Sequence, residues 1–288
     1  MKVLGFGDCC VDYYINKQIA YPGGNALNVA VFAHENGADA AFLGTIGNDI
    51  ISEHICKCAK LKGIDISHCS LKNGSTGKAA VNIIEGNRVF DANYFGDSHG
   101  VGTLFPPILS ESDIDYMKEF DLIHASCYAH IENQFDKLKN MESLLTFDFS
   151  SEDKYRIDEY LKKVCPKLDV ALFSGEHLNN QEITELAQRT KEFGCRNVLI
   201  TMGAKGQRLY TENSLYEGKI VEIEPVDTMG AGDSFFAAFL VGLLKRGWNK
   251  NIQISEDMAI SSLREAASYS AQNCLVEGSF GYGLQIDL

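Results

Sequence analysis

DTMGAGDSFFAAFL, running from Asp227 to Leu240, is the stretch from which the rest of the chain can be read. Gly230, Ala231 and Gly232 are small enough to let backbone approach another group closely, and the apolar run that follows has the length of a helix. A helix start carries unpaired N–H groups and the positive end of the macrodipole, so it suits an anion. Asp233, at the same turn, adds a proton acceptor beside that anion site. Transfer of a phosphoryl group to an alcohol needs both: a base for the hydroxyl proton and fixed dipoles for the charge that develops. The segment therefore reads as a phosphoryl-transfer centre.

Outward from it, short apolar runs alternate with helical patterns. Strands are expected at residues 2–6, 41–46, 121–125, 144–149, 170–173 and 198–201, and helices at 25–35, 49–61, 110–118, 155–164, 180–193, 232–246 and 255–273. Such alternation predicts a parallel sheet covered by helices on both faces. Ligands of open sheets lie beyond the carboxyl ends of the strands, which points to 7–12, 126–130, 148–150, 174–177 and the turn after Thr201. Residues 11–20 and 78–95 break the pattern as extended, half-exposed strands, the second pair hinged at Glu85-Gly86-Asn87. They predict a small antiparallel sheet standing above the strand ends as a lid. With no linker, repeat or low-complexity tract, residues 1–288 read as one domain carrying that lid.

The 288 residues are 45% hydrophobic and 23% charged, as in an ordinary globular chain, with a net charge of −13. So acidic a surface attracts neither nucleic acid nor an anionic membrane. It leaves room for ATP, whose phosphates need only a local pocket and a metal ion. The opening MKVLGFGDCCVDYY lacks a signal or transit pattern, and no run approaches the roughly 20 apolar residues of a membrane span, so a cytoplasmic location is expected. Nine cysteines, an odd number without a CxxC, predict reduced, packed thiols rather than disulfides. His124, Cys127 and His130 lack the second pair that a metal site would want.

PGGNALNVAVFAHENGADAAFLGTIGND, from Pro22 to Asp49, is the second constellation. Gly23 and Gly24 precede a helix with Asn25 and Asn28 near its start. Two amides beside a Gly–Gly turn can meet a polyhydroxylated ligand, although Asn25 as a plain N-cap explains the same pattern. Asp12, closing GDCCVD, is a carboxylate placed to accept sugar hydroxyls or to sit solvated in a turn. TMGAKG, from Thr201 to Gly206, follows a strand, and its glycines let a nucleotide lie against backbone. No Gx4GK[ST], GxSxG or HExxH is present, and Cys10 stands where a GxGxxG begun at Gly5 would need its third glycine. P-loop enzymes are excluded, and a dinucleotide dehydrogenase is disfavoured.

Two signatures, Gly23-Gly24-Asn25-x-x-Asn28 onward to Gly47 and Asp227-Thr228-x-Gly230-Ala231-Gly232-Asp233, resemble the ribokinase-like (PfkB) carbohydrate kinase family over essentially the whole chain. The resemblance implies a three-layer α/β/α sandwich with a mostly parallel sheet and a small β-sheet lid. It implies Asp233 as the catalytic base and Gly230, Ala231 and Gly232 as the anion hole. Asp12, Gly23, Gly24 and Asn28 would hold the sugar, and Thr201, Gly203 and Gly206 would line the nucleotide. ATP and Mg²⁺ are implied, and the family admits a monovalent cation near Asp227 and Thr228 and a homodimer formed through the lid.

Within the family, GDCCVD, GGNALNVAV, GIDISH, NRVF, the IHA…H pattern of His124 and His130, FDFS and DTMGAGDSF resemble the fructoselysine 6-kinase branch. That implies a small-molecule substrate, a ketose derivative with an amino acid attached, phosphorylated on a primary hydroxyl. Arg88 is then placed for the substrate carboxylate, Asp91 or Asp97 for its ammonium, and His130 for a sugar contact. One departure stands out: the Asn-x-x-Glu of many relatives is Ser174 and His177 here, with Glu176 one place off. Fructokinase, ribokinase or nucleoside kinase activity on the same fold stays open, the last with Tyr13, Tyr14 and Tyr94 for stacking. So does a non-catalytic sugar-binding protein.

Overall fold

A computed structural model describes residues 1–84, 87–96 and 99–288, with the side chains of Ile84, Asn87 and Arg88 outside the description. The apolar runs of the first half form β1 (Lys2–Gly7), β2 (Cys10–Tyr14), β3 (Ile19–Gly23), β4 (Asp39–Ile46), β5 (Ser70–Leu71), β6 (Gly77–Ile84) and β7 (Asn87–Phe90). Those of the second half form β8 (Leu122–Ser126), β9 (Leu144–Asp148), β10 (Val170–Ser174), β11 (Asn197–Thr201), β12 (Gln207–Tyr210), β13 (Leu215–Gly218) and β14 (Leu284–Gln285). Between them run α1 (Asn25–Glu35), α2 (Ile50–Leu61), α3 (Val101–Leu104), α4 (Glu111–Met117) and α5 (Phe135–Leu138). Then come α6 (Asp158–Val164), α7 (Asn180–Glu192), α8 (Ala231–Lys245) and α9 (Glu256–Asn273).

The large sheet has the order β13-β12-β11-β10-β9-β8-β1-β4-β5 and is parallel except for the hairpin β12–β13 and its pairing to β11. Side chains alternate across it. Leu4 and Phe6 face the core made with α4, α6 and α7, while Val3 faces the core made with α8 and α9. The sheet is thus covered on both sides, giving the three layers expected. α8 is apolar around its whole circumference because it lies between α1, α9 and the sheet, so no face of its middle turns needs to be polar. Gly5 lets α1 lie unusually close: a Cβ there would fall 2.0 Å from the carbonyl oxygen of Ala26. That approach sets the first turn of α1 over the carboxyl ends of β1 and β8.

The second sheet has the order β14-β3-β2-β6-β7. It differs from the expected antiparallel sheet in one pairing: β2 and β6 run parallel, Cys10 opposite Gly77 and Tyr14 opposite Val81. After β3 the chain descends through α1, β4 and α2, and it re-enters this sheet travelling in the direction of β2. The C-terminal segment completes the sheet, Leu284 pairing with Ala20. A second difference concerns the helix expected at 155–164, which begins only at Asp158 after a 3₁₀ turn at Asp153–Tyr155. The buried side chain of Arg156 is drawn to carbonyls at the ends of β9 and β10, and Ile157 is extended there. Among the described residues no helix is long and apolar enough to cross a membrane.

Candidate active site

The turn that opens α8 is held from beneath. Asp227, 2% exposed, accepts from the Tyr14 hydroxyl at 2.5 Å, from Met229 N at 2.9 Å and from Gly278 N at 2.8 Å. Gly230 takes the left-handed conformation, φ 71°, that swings the chain into the helix and that an L side chain resists. Gly232 faces open space, since a Cβ built on it meets nothing within 4 Å. Asp233 follows in the first helical turn, half-buried, beside the positive end of a 15-residue helix.

Both oxygens of Asp233 are met from α1. Asn25 Nδ2 donates to Oδ1 at 2.8 Å, and Asn28 Nδ2 donates to Oδ2 at 2.6 Å. Asn28 also donates to Ser279 Oγ at 3.1 Å, while its buried Oδ1 has no hydrogen-bond partner among the described residues. Asn25 is a hub. Its backbone N–H donates to Asp8 at 2.7 Å, and its Nδ2 donates at 2.8 Å to Asp148 as well as to Asp233. The N-cap reading of Asn25 is corrected: Gly24 occupies that position, which frees the Asn25 side chain for the two carboxylates.

Behind Asn25 stands His124, fully buried, whose Nε2 lies 2.7 Å from Asn25 Oδ1 and whose Nδ1 lies 3.0 Å from Thr146 Oγ1. Burial pushes the imidazole down to about 3, so the ring is neutral. Asp148 is the opposite case. Burial, then the nearby charge of Asp233, raises its carboxyl to about 7 against hydrogen bonds from Ser150 N and Asn25 that act to lower it.

Asp12 is buried against the Gly23–Gly24 turn: a Cβ on Gly23 would lie 2.6 Å from its Oδ2. Thr201, Gly203 and Gly206 form the turn after β11, with the Glu176 side chain packed against Gly203. Ser174 and His177 are bound together by Arg156, which donates to the Ser174 carbonyl at 2.6 Å and to His177 Nε2 at 2.9 Å. His130 is exposed just beyond β8, outside the network of hydrogen bonds described for Asn25 and the carboxylates. Arg88 lies on β7 with its side chain outside the description, and Asp97 is outside the described residues. Tyr13 and Tyr14 are each 1% exposed, Tyr14 held by Asp227, so neither is available to stack on a bound base.

Asp148, His124, Thr146, Ser279 and Arg156 were not singled out as site residues by sequence reasoning. The strand-end rule points to 148–150 without choosing a residue, His124 is weighed as a metal ligand and set aside, and IHA and FDFS otherwise enter as points of likeness. Nothing local marks Thr146, Ser279 or Arg156.

The model of the family described as "pfkB family carbohydrate kinase" matches residues 14–273. Fructosamine kinase FrlD of Bacillus subtilis is 36% identical over 284 residues, covering 98% of this chain and 94% of that protein. Fructoselysine 6-kinase of Escherichia coli is 32% identical over 263 residues, covering 90% and 94%. Among solved structures, fructokinase with bound ATP from Xylella fastidiosa has a TM-score of 0.80 at 17% identity, covering 98% of this chain and 94% of its own. Fructokinase from Vibrio cholerae O395 in its fructose, ADP and calcium-bound form has a TM-score of 0.76 at 21% identity, covering 98% and 95%. At such identities the structural likeness speaks for the fold alone, which is that of these sugar kinases.

Proposed function

The chain belongs to the pfkB family of carbohydrate kinases, and on that premise we propose that it phosphorylates the 6-hydroxyl of a fructosamine, with fructoselysine the first candidate. The observation that carries the mechanism is the carboxylate of Asp233, held on both oxygens by Asn25 and Asn28 at the mouth of the α8 turn. In this reading Asp233 takes the proton of the primary hydroxyl, and the two amides hold it aimed. The N–H groups of residues 230–233 meet the charge on the phosphoryl group in flight. Open space at Gly232 is where that group would approach.

The orphaned Oδ1 of Asn28 supports a sugar hydroxyl as its partner, because a buried acceptor left unpaired is costly. Asp12, beside Gly23, supplies a second acceptor for the sugar. ATP is taken as the phosphoryl donor along Thr201, Gly203 and Gly206. Mg²⁺ would enter on the nucleotide phosphates, since among the described residues no group of three or more His, Cys, Asp or Glu side chains is arranged to hold a metal. The second sheet serves as a lid that excludes water from the transfer. Its edge strand β7, with Phe90 54% exposed, is the proposed contact in a homodimer. The cytoplasm is the proposed location.

The test is an ADP-release panel with fructoselysine, other fructosamines, fructose, ribose and adenosine. Preference for fructose or ribose over every fructosamine would overturn the substrate; no sugar-dependent ADP at all would overturn the activity.

A further inference from the structure

We infer that His124 is a positioning residue for phosphoryl transfer, acting on Asp233 through the side-chain amide of Asn25. This rests on the kinase reading above. The observation is a continuous chain of side-chain hydrogen bonds from Thr146 to His124, from His124 to Asn25, and from Asn25 to both Asp233 and Asp148.

The direction of every bond in that chain is fixed by its far end. Asp233, as the proposed base, only accepts, so Asn25 must turn its NH₂ toward it, and Asp148 meets the same NH₂; the reverse orientation would set the amide oxygen against the base. Oδ1 of Asn25 therefore faces His124, and Nε2 of the ring must carry the hydrogen. The ring is neutral in its fully buried setting, with burial the cause, so Nδ1 is left as an acceptor and, at 3.0 Å, takes the hydrogen of Thr146 Oγ1 ahead of the Ile123 carbonyl at 3.5 Å. Phe236, one turn along α8 from Asp233, packs edge-on against the imidazole with centroids 5.4 Å apart. The helix that carries the base thus also braces the group that orients it.

His124 touches neither of the two carboxylates in this chain. Its effect is to remove the freedom of the Asn25 amide to rotate, so that each of its two hydrogens is committed to one carboxylate. Without the Nε2 donor, the half-buried Asn25 amide would lose the partner of its Oδ1 and with it the fixed aim at Asp233.

The test uses His124→Leu, which removes the donor, and His124→Gln, which can return an N–H toward Asn25. The expected result is a fall in kcat of about 10- to 100-fold for the Leu variant, with ATP and sugar KM changing by less than about 3-fold, and substantial recovery in the Gln variant. Because His124 acts only through Asn25, adding His124→Leu to Asn25→Ala should cost little beyond Asn25→Ala alone. Thr146→Val, a smaller change on the far side of the ring, should lower kcat in the same direction and serves if His124→Leu does not fold. Additive losses in the double variant, or unchanged kcat in both His124→Leu and Thr146→Val, would overturn the inference. Failure of the kinase reading is distinguishable, because the unmodified protein would then release no ADP with any sugar.

Discussion

Asn25 and Asp233 lie 208 residues apart in sequence and 2.8 Å apart in space, joined by a hydrogen bond from the Asn25 amide to the Asp233 carboxylate. The bond ties the start of α1 to the start of α8, the two turns that carry the chain's most informative motifs. It makes Asp233 a held carboxylate rather than a free one.

Replacing Asp233 with Asn should cut kcat by about 10²–10⁴-fold while leaving sugar binding nearly unchanged, because the proton acceptor is lost and the shape is kept. Steady-state kinetics beside calorimetric titration of the sugar separate the two effects. A variant with normal turnover would remove Asp233 from its role.

Gly230 and Gly232 should respond differently to the same change. Gly230→Ala places a side chain at φ 71° and crowds Ser279, where the new Cβ would come within 3.0 Å, so a loss of about 1–2 kcal/mol in stability is expected. Gly232→Ala meets nothing in the protein, so thermal unfolding should be unchanged or slightly later, while the KM for ATP rises by about 10-fold as the methyl enters the anion's space. If Gly232→Ala melts early with normal ATP kinetics, the open space beside it is not the phosphoryl approach.

Gly23→Ala tests the sugar side. Its Cβ would fall 2.6 Å from Asp12 Oδ2, so the carboxylate must move. Sugar KM should rise by about 10-fold or more with ATP KM unaffected, and Asp12→Ala should act on the same parameter. A change confined to ATP KM would place Asp12 outside the sugar site.

Asp148 predicts a dependence of stability on pH. Its carboxyl, near 3.8 when unperturbed, is raised to about 7 in the folded protein by burial and by Asp233. Between those values the folded state keeps a proton that the unfolded chain has released, so this group's contribution to stability is complete below about 4 and is lost as pH rises toward 7. Asp148→Asn should therefore flatten the decline of Tm over that window relative to the unmodified protein. Parallel Tm curves for the two proteins would contradict the raised value.

Much of this was readable in order along the chain. The boundaries of α1 follow directly from GGNALNVAVFAHENG, because glycines bracket an apolar run and the propensities agree with the burial. The helix start, expected at 232 and found at 231, follows from GAGD to within a residue. The parallel pairing of β2 with β6 was not readable, since it depends on how the chain returns to the second sheet after passing through the large one. Nor was the late start of α6, which Arg156 decides by reaching carbonyls at residues 150 and 174.

By itself the sequence determined the layered α/β class and the proposal of an anion turn at 230–232 with Asp233 as the base beside it, because each is written in adjacent residues and local spacing. Only the tertiary structure decided that Asn25 serves two carboxylates, that neutral His124 stands behind it, and that Asp148 holds a proton near neutrality. Those facts depend on burial and, for the Asn25 side chain, on hydrogen-bond partners 99, 123 and 208 residues away, and a single linear sequence carries no local signal for either.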